Sequence, residues 1–230
     1  MQFGTPTLSD HHKINIDLRN LSWRGIQYKF CSGKVRKMRT VLVTCGATVS
    51  FPGLIETIVD SKVLKTLKEL GYERILLQYG RGYGREFVKL VENRFKDASM
   101  GSKSDISLIQ DAQVVKIQGL QIYGFEFSRQ IETLIQDYAD LVVSHAGTGS
   151  ILDSLRLEKP LIVVINDTLM DNHQQLIANK FEQQKLLWAI HARVPEMVRA
   201  LERSEGEQLC KIGSSYNKQF EQLLCAVACE

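Results

Sequence analysis

Short, mostly apolar runs recur along this chain, and most are followed by a stretch whose apolar residues return at helical spacing. Thr40–Thr44, Leu161–Ile165 and residues 74–79, 141–144 and 186–190 are too short for helices and lack the polar alternation of a half-exposed strand. They read as strands buried on both faces. After the first run, Pro52 stands where a first helical turn tolerates it. Leu54, Ile55, Ile58, Val59, Val63, Leu67 and Leu70 then predict one helix that Gly71 stops. Further helices are expected over residues 85–95, from a Ser128 cap to Tyr138, and starting near Ser150 and Asn172. Residues 114–117 and 121–125 read as short strands around Gly119, and the polar stretch 96–113 reads as a surface insertion. Repeated strand–helix units of this kind predict an α/β fold: a single Rossmann-like, doubly wound parallel sheet with helices on both faces.

The 230 residues suffice for one sizeable α/β domain. Apolar runs such as Leu161–Ile165 fall far short of the roughly 20 residues that a membrane-spanning helix needs, so no direct transmembrane segment is expected. The start of the chain shows no secretory signal core. The net charge of +3 is unevenly distributed: residues 1–39 hold eight Lys/Arg against Asp10 and Asp17, whereas the remainder is net acidic. A nucleic-acid-binding domain would carry a basic stripe on its folded body, and no nucleic-acid partner is expected. Residues 1–38 have no sustained apolar period and are expected to be a disordered tail, either native or preceding a true start at Met38. The five cysteines have no C-x-x-C spacing, which argues against a disulfide framework or zinc site and fits a reducing, cytoplasmic compartment.

In an open α/β sheet, ligands bind where strand carboxyl ends lead into loops and helix N-termini. The most informative such segment is Ser144-His145-Ala146-Gly147-Thr148-Gly149-Ser150-Ile151-Leu152-Asp153. Its glycines let backbone approach a ligand, free N–H groups at a helix start favour phosphate oxygens, and Thr148 and Ser150 add hydroxyls. Asp153, one turn further on, suits ribose hydroxyls. A second segment, Asn166-Asp167-Thr168-Leu169-Met170-Asp171-Asn172-His173-Gln174-Gln175, follows a strand, runs mostly polar and opens a helix whose paired Gln side chains suit sugar hydroxyls. A third, Thr44-Cys45-Gly46-Ala47-Thr48, is a turn able to face a diphosphate or an acceptor. The alternatives are a glycine turn that merely allows packing and a solvated helix start. There is no G-x-x-x-x-G-K-[ST] loop and no Asp-x-Asp pair for a metal-bound diphosphate. Gly80-Arg81-Gly82-Tyr83-Gly84 imitates part of a dinucleotide fingerprint but follows the wrong strand, which weakens an NAD(P)-dependent oxidoreductase reading. Cys45 reads as a packing residue rather than a nucleophile.

Together, Val41-Leu42-Val43-Thr44-Cys45-Gly46-Ala47-Thr48, Gln78-Tyr79-Gly80-Arg81, the Ser144 to Ser150 run and Asp171-Asn172-His173-Gln174-Gln175 resemble the fungal catalytic subunits of the dolichol-pathway UDP-N-acetylglucosamine transferase, of glycosyltransferase family 28 C-terminal-domain type. The resemblance covers residues 39–190 and is densest over 140–175. More distantly, the chain is similar to the C-terminal half of the bacterial peptidoglycan N-acetylglucosaminyltransferase. The resemblance implies one half of a GT-B enzyme, with Gly46, Thr48, Gly147, Thr148, Gly149, Ser150, Asp153, Asn172, Gln174 and Gln175 on the substrate and His145 as catalytic base or loop orienter. It also implies use of UDP-N-acetylglucosamine without cofactor or metal. The implied acceptor is dolichyl-diphosphate-linked N-acetylglucosamine, held by a membrane-anchored acceptor-binding subunit on the cytosolic face of the endoplasmic reticulum. A non-catalytic nucleotide-binding regulatory subunit is the alternative. The expected layout is a nucleotide-sugar-binding domain over 39–213 and a docking helix over 214–230. In that helix Tyr216, Phe220, Leu223, Leu224 and Val227 share one face.

Overall fold

The computed structural model describes residues 22–23, 26–31, 34–46, 50–101, 104–109, 111–167 and 173–212, with backbone alone for 22–37 and 173–174. The chain divides into two compact units, Met1–Lys37 and Met38–Glu230. In the first, where a tail was expected, β1 (Ser22–Trp23), β2 (Ile26–Cys31) and β3 (Lys34–Lys37) form an antiparallel sheet in that order.

The second unit is built on an eight-stranded sheet. Its elements are β4 (Thr40–Thr44), α1 (Pro52–Ile58), α2 (Ser61–Glu69), β5 (Arg74–Gln78), α3 (Gly84–Arg94), β6 (Ser99–Met100), β7 (Gln113–Ile117), β8 (Leu120–Phe125), α4 (Ile131–Tyr138), β9 (Leu141–His145), α5 (Thr148–Arg156), β10 (Leu161–Ile165), α6 (His173–Gln183), β11 (Trp188–His191) and α7 (Val194–Gly206). The strand order is β11-β10-β9-β4-β5-β8-β7-β6. From β11 through β8 every pairing is parallel. β7 then runs antiparallel to β8, and β6 antiparallel to β7, so the sheet is mixed rather than wholly parallel. The cause is the two-residue connection Gln118-Gly119, both at positive φ, which reverses the chain too tightly for a helical crossover.

Alternate residues of the central strands feed opposite cores. Val41 and Val43 pack with Leu54, Leu67, Phe87 and Met197 on one face, and Leu42 packs with Leu134, Ile151 and Phe181 on the other. Burial on both sides explains the continuous apolar strands. Fully burying one such side chain stabilises by about 1.5–3 kcal/mol.

Several boundaries depart from the sequence expectations. The single helix after Pro52 is two, because the Asp60 carboxylate accepts from the Lys62 N–H at 2.8 Å and starts α2 afresh. Ser128 does not cap α4; its hydroxyl accepts from the Gln130 N–H at 3.1 Å in the preceding turn. The polar stretch 96–113 is not merely superficial, since it contributes β6, a 3₁₀ turn at Ser107–Ile109, and buried Ile106, Ile109 and Ala112. α7 was not expected, although Pro195 in its first turn and the buried Met197, Ala200 and Leu201 carry a helical signature. The expected helix over 214–230 lies outside the described residues.

Candidate functional site

Sheet order selects the site. From β4 the chain winds one way through β5 and β8 and the other way through β9, β10 and β11. The topological switch, where open α/β sheets bind ligands, therefore lies between the carboxyl ends of β4 and β9. There Thr44 pairs with Ser144, so the turns that follow these two strands adjoin although they are distant in sequence.

The imidazole of His145 is held between these turns. Its Nδ1 lies 3.3 Å from the Thr44 carbonyl oxygen. The Ser144 hydroxyl and the Gly147 N–H both donate to the His145 carbonyl at 2.7 Å. The Gly46 N–H donates to the Thr44 hydroxyl at 3.3 Å, and that hydroxyl donates to Gln78 Oε1 at 3.1 Å. A methyl group on Gly46, whose φ is +92°, would stand 3.1 Å from the imidazole; one on Gly147 would stand 2.3 Å from Nε2. At Gly147 a side chain would require the ring to move, and at Gly46 the positive φ favours glycine beside a ring already in tight contact. Burial lowers the His145 pKa below its usual value, with the Thr44 hydrogen bond opposing in part. The ring is thus neutral at pH 7, with Nδ1–H donating to Thr44. Burial pushes the Cys45 thiol up to about 12, as suits an inert packing residue.

Beyond Gly147 the turn opens. Gly147 is the extended residue before α5 and no side chain caps that helix, so the N–H groups of Thr148, Gly149 and Ser150 lack intrahelical acceptors. Thr148 and Gly149 are exposed, and a methyl group on Gly149 would meet nothing within 4 Å. Ile151, Ser154 and Leu155 bury the opposite face of α5, with the Ser154 hydroxyl donating to the Ser150 carbonyl at 2.7 Å. Asp153 follows Gly149 by four residues and so lies on the same half-exposed face. Its carboxylate has no hydrogen-bond partner among the described residues. An N-terminal helix dipole, free amides and a carboxylate one turn further on can receive a diphosphate and a ribose together.

The neighbouring strand β10 leads to α6, whose first turn carries Gln174 and an exposed Gln175. Thr48 and Asn172 lie outside the described residues. The glycine-rich turn after β5 faces the other way: the Gly82 N–H donates to Glu126 at 3.1 Å, and Arg81 stacks over the exposed Phe127 at 5.5 Å. This contact borders a cleft of about 480 Å³ at the carboxyl end of β8. Sequence reasoning named Tyr79, Arg81 and Gly84 in the turn after β5 but not Phe127; the signal was an aromatic amid the polar residues that follow β8. It placed Asp167 in a polar candidate segment without a role of its own and passed over His191; the two pair at 2.6 Å across the ends of β10 and β11. A larger cleft, about 720 Å³, opens at the amino-terminal ends of β10 and β11 beside Pro160 and Leu186. That is the wrong end of a parallel sheet for a ligand. Among the described residues, no group of three or more His, Cys, Asp or Glu could hold a metal, and no helix is long and apolar enough to cross a membrane.

The chain is 60% identical over 193 residues to the UDP-N-acetylglucosamine transferase subunit ALG13 of Kluyveromyces lactis, spanning 82% of this chain and 98% of that one. It is 42% identical to the subunit of that name from Saccharomyces cerevisiae, over 81% and 94% of the respective chains. An NMR solution structure of ALG13 superposes with a TM-score of 0.67 at 41% identity, covering 81% of this chain and 95% of that chain. The MurG crystal structure from Acinetobacter baumannii shares the fold alone, with a TM-score of 0.51 at 16% identity over 76% of this chain and 43% of that one. The glycosyltransferase family 28 C-terminal domain matches residues 40–211, and the chain belongs to that family.

Proposed function

We propose that this chain is the donor-binding, catalytic subunit of an N-acetylglucosaminyltransferase that moves N-acetylglucosamine from UDP-N-acetylglucosamine to dolichyl-diphosphate-linked N-acetylglucosamine, the second step of lipid-linked oligosaccharide assembly. The observation that carries the reading is the uncapped start of α5 at the switch point, with Gly149 unobstructed and Asp153 unpaired beside it. In this reading the Thr148, Gly149 and Ser150 amides hold the diphosphate and stabilise the departing UDP, as preorganised dipoles do where charge develops. Asp153 accepts from the ribose, and Gln174 and Gln175 contact the sugar. His145, neutral and wedged between two glycines, orients the loop; its enclosure favours that role over direct removal of the acceptor proton.

One Rossmann-like sheet supplies only half of a GT-B cleft, so a membrane-anchored partner on the cytosolic face of the endoplasmic reticulum would bring the lipid acceptor. The name "subunit" borne by the relatives supports such a partner. The test is co-expression with the candidate membrane subunit and assay of sugar transfer to a phytanyl- or dolichyl-diphosphate acceptor in excess chelator. Transfer that needs both chains and no added metal is expected. Absence of turnover despite UDP-sugar binding would favour a regulatory subunit. A strict metal requirement would sink the amide-and-dipole account.

A further inference from the structure

We infer that Asp167, His191 and Arg193 form a clamp that positions the β10 side of the donor site, with His191 as a positioning residue for the sugar nucleotide. The inference rests on the proposed reading of the first turn of α6 as a sugar contact. Ile165 and His191 are register partners and end their strands together. Two residues past Ile165, one oxygen of the Asp167 carboxylate lies 2.6 Å from His191 Nδ1, and the other lies 3.6 Å from an Arg193 guanidinium nitrogen. Arg193 also meets Glu196 at 3.1 Å, and the second Glu196 oxygen accepts the His191 backbone N–H at 2.8 Å. The four residues thus close a ring that joins the end of β10, the end of β11 and the first turn of α7.

Exposure decides what such a ring can do. The Asp167 side chain is 51% and that of Arg193 62% solvent-accessible, so these ion pairs add little to global stability. They do fix where the chain leaves β10. Further along, the Glu182 carboxylate on α6 accepts the Ala189 N–H of β11 at 3.1 Å. The strand β11 therefore holds the β10–α6 unit at its start, through His191, and near its end, through Ala189. Gln175 lies between these two anchor points. Even a small displacement of a binding group can weaken a site severely, because productive geometry tolerates little error. Loosening the first anchor should therefore be felt in donor affinity before it is felt in folding.

The test uses the full chain with its membrane partner and UDP-N-acetylglucosamine as the probe. His191→Ala should raise the donor KM about fivefold, leave kcat within about twofold, and move Tm by less than roughly 2 °C. His191→Asn, whose amide can still donate to Asp167, should restore most of the affinity, and Asp167→Ala combined with His191→Ala should cost no more than either alone. An unchanged KM in His191→Ala, or an equal loss in His191→Asn, overturns the clamp. Gln175→Ala in parallel separates the two ideas. If Gln175→Ala also leaves KM unchanged, the sugar-contact reading of α6 fails; if it raises KM and His191→Ala does not, the clamp alone fails.

Discussion

The two halves of the β9–α5 turn use glycine for opposite reasons. At Gly147 the space for a side chain is filled from within by the His145 ring. At Gly149, two residues on, that space is empty and faces outward. The first glycine lets the protein close upon itself, and the second leaves backbone amides uncovered. Sequence shows both as the same letter, yet substitution should separate them into a folding defect and a binding defect.

The largest effect is expected at the closed half. Gly147→Ala forces a methyl group against Nε2, and overpacking of this kind costs about 1–3 kcal/mol. Its Tm should fall by several degrees and sugar transfer should largely disappear; a normal Tm and normal transfer would mean that the ring yields freely and the two halves are alike. Next is Asp153→Ala. Losing a hydrogen bond to a charged group costs about 1.5–3 kcal/mol, so the donor KM should rise tenfold to about a hundredfold with Tm unchanged. Normal kinetics would remove Asp153 from the site.

Gly149→Ala should break the symmetry most cleanly. Alanine is the better helix former, so stability should hold or rise by up to about 1 kcal/mol, while donor affinity falls several-fold as the methyl group covers the amides. Parallel loss of stability and binding would show that Gly149 is a packing glycine like Gly147.

The smallest effect is the pH dependence of the brace. Burial lowers the folded-state pKa of His145 below the usual 6.5. The unfolded chain then binds the proton more readily, so the neutral ring's contribution is complete above pH 6.5 and is lost as pH falls below it. Tm measured from pH 7.5 to 5 should decline more shallowly in His145→Gln than in the parent protein. Identical slopes would show that burial of the ring exerts no control on stability.

Much of the candidate site was legible as local structure because it lies within continuous segments. The run from Ser144 to Asp153 announces a strand, a tight turn and a helix start, and the structure begins that helix at Thr148, two residues before the expected Ser150. What the run could not announce was its neighbour. That Gly46 and Gly147 grip the same imidazole depends on β4 pairing with β9, and no local pattern encodes which of several similar strands lie side by side. The split of the first long helix at Asp60 was missed for a subtler reason. Apolar spacing continued past the break, and only the Asp60 cap reveals that the backbone turns there. His191 was passed over because it belongs to no motif, and Asp167 was read only as part of a polar segment; their contact joins the ends of different strands.

Local chemistry, then, sets what the sequence determines by itself: apolar strands that demand burial on both faces, and glycine-rich turns that lead from a strand into a helix. Those properties depend on residues a few positions apart, and the alternation of strand and helix follows from them. Tertiary structure decided the order of the strands, and with it the switch point between β4 and β9, the enclosure of His145 and the ring that joins β10, β11 and α7. The physical reason is that strands buried on both faces are nearly interchangeable as sequences. Their neighbours are chosen by how the helices between them pack, which no single segment contains.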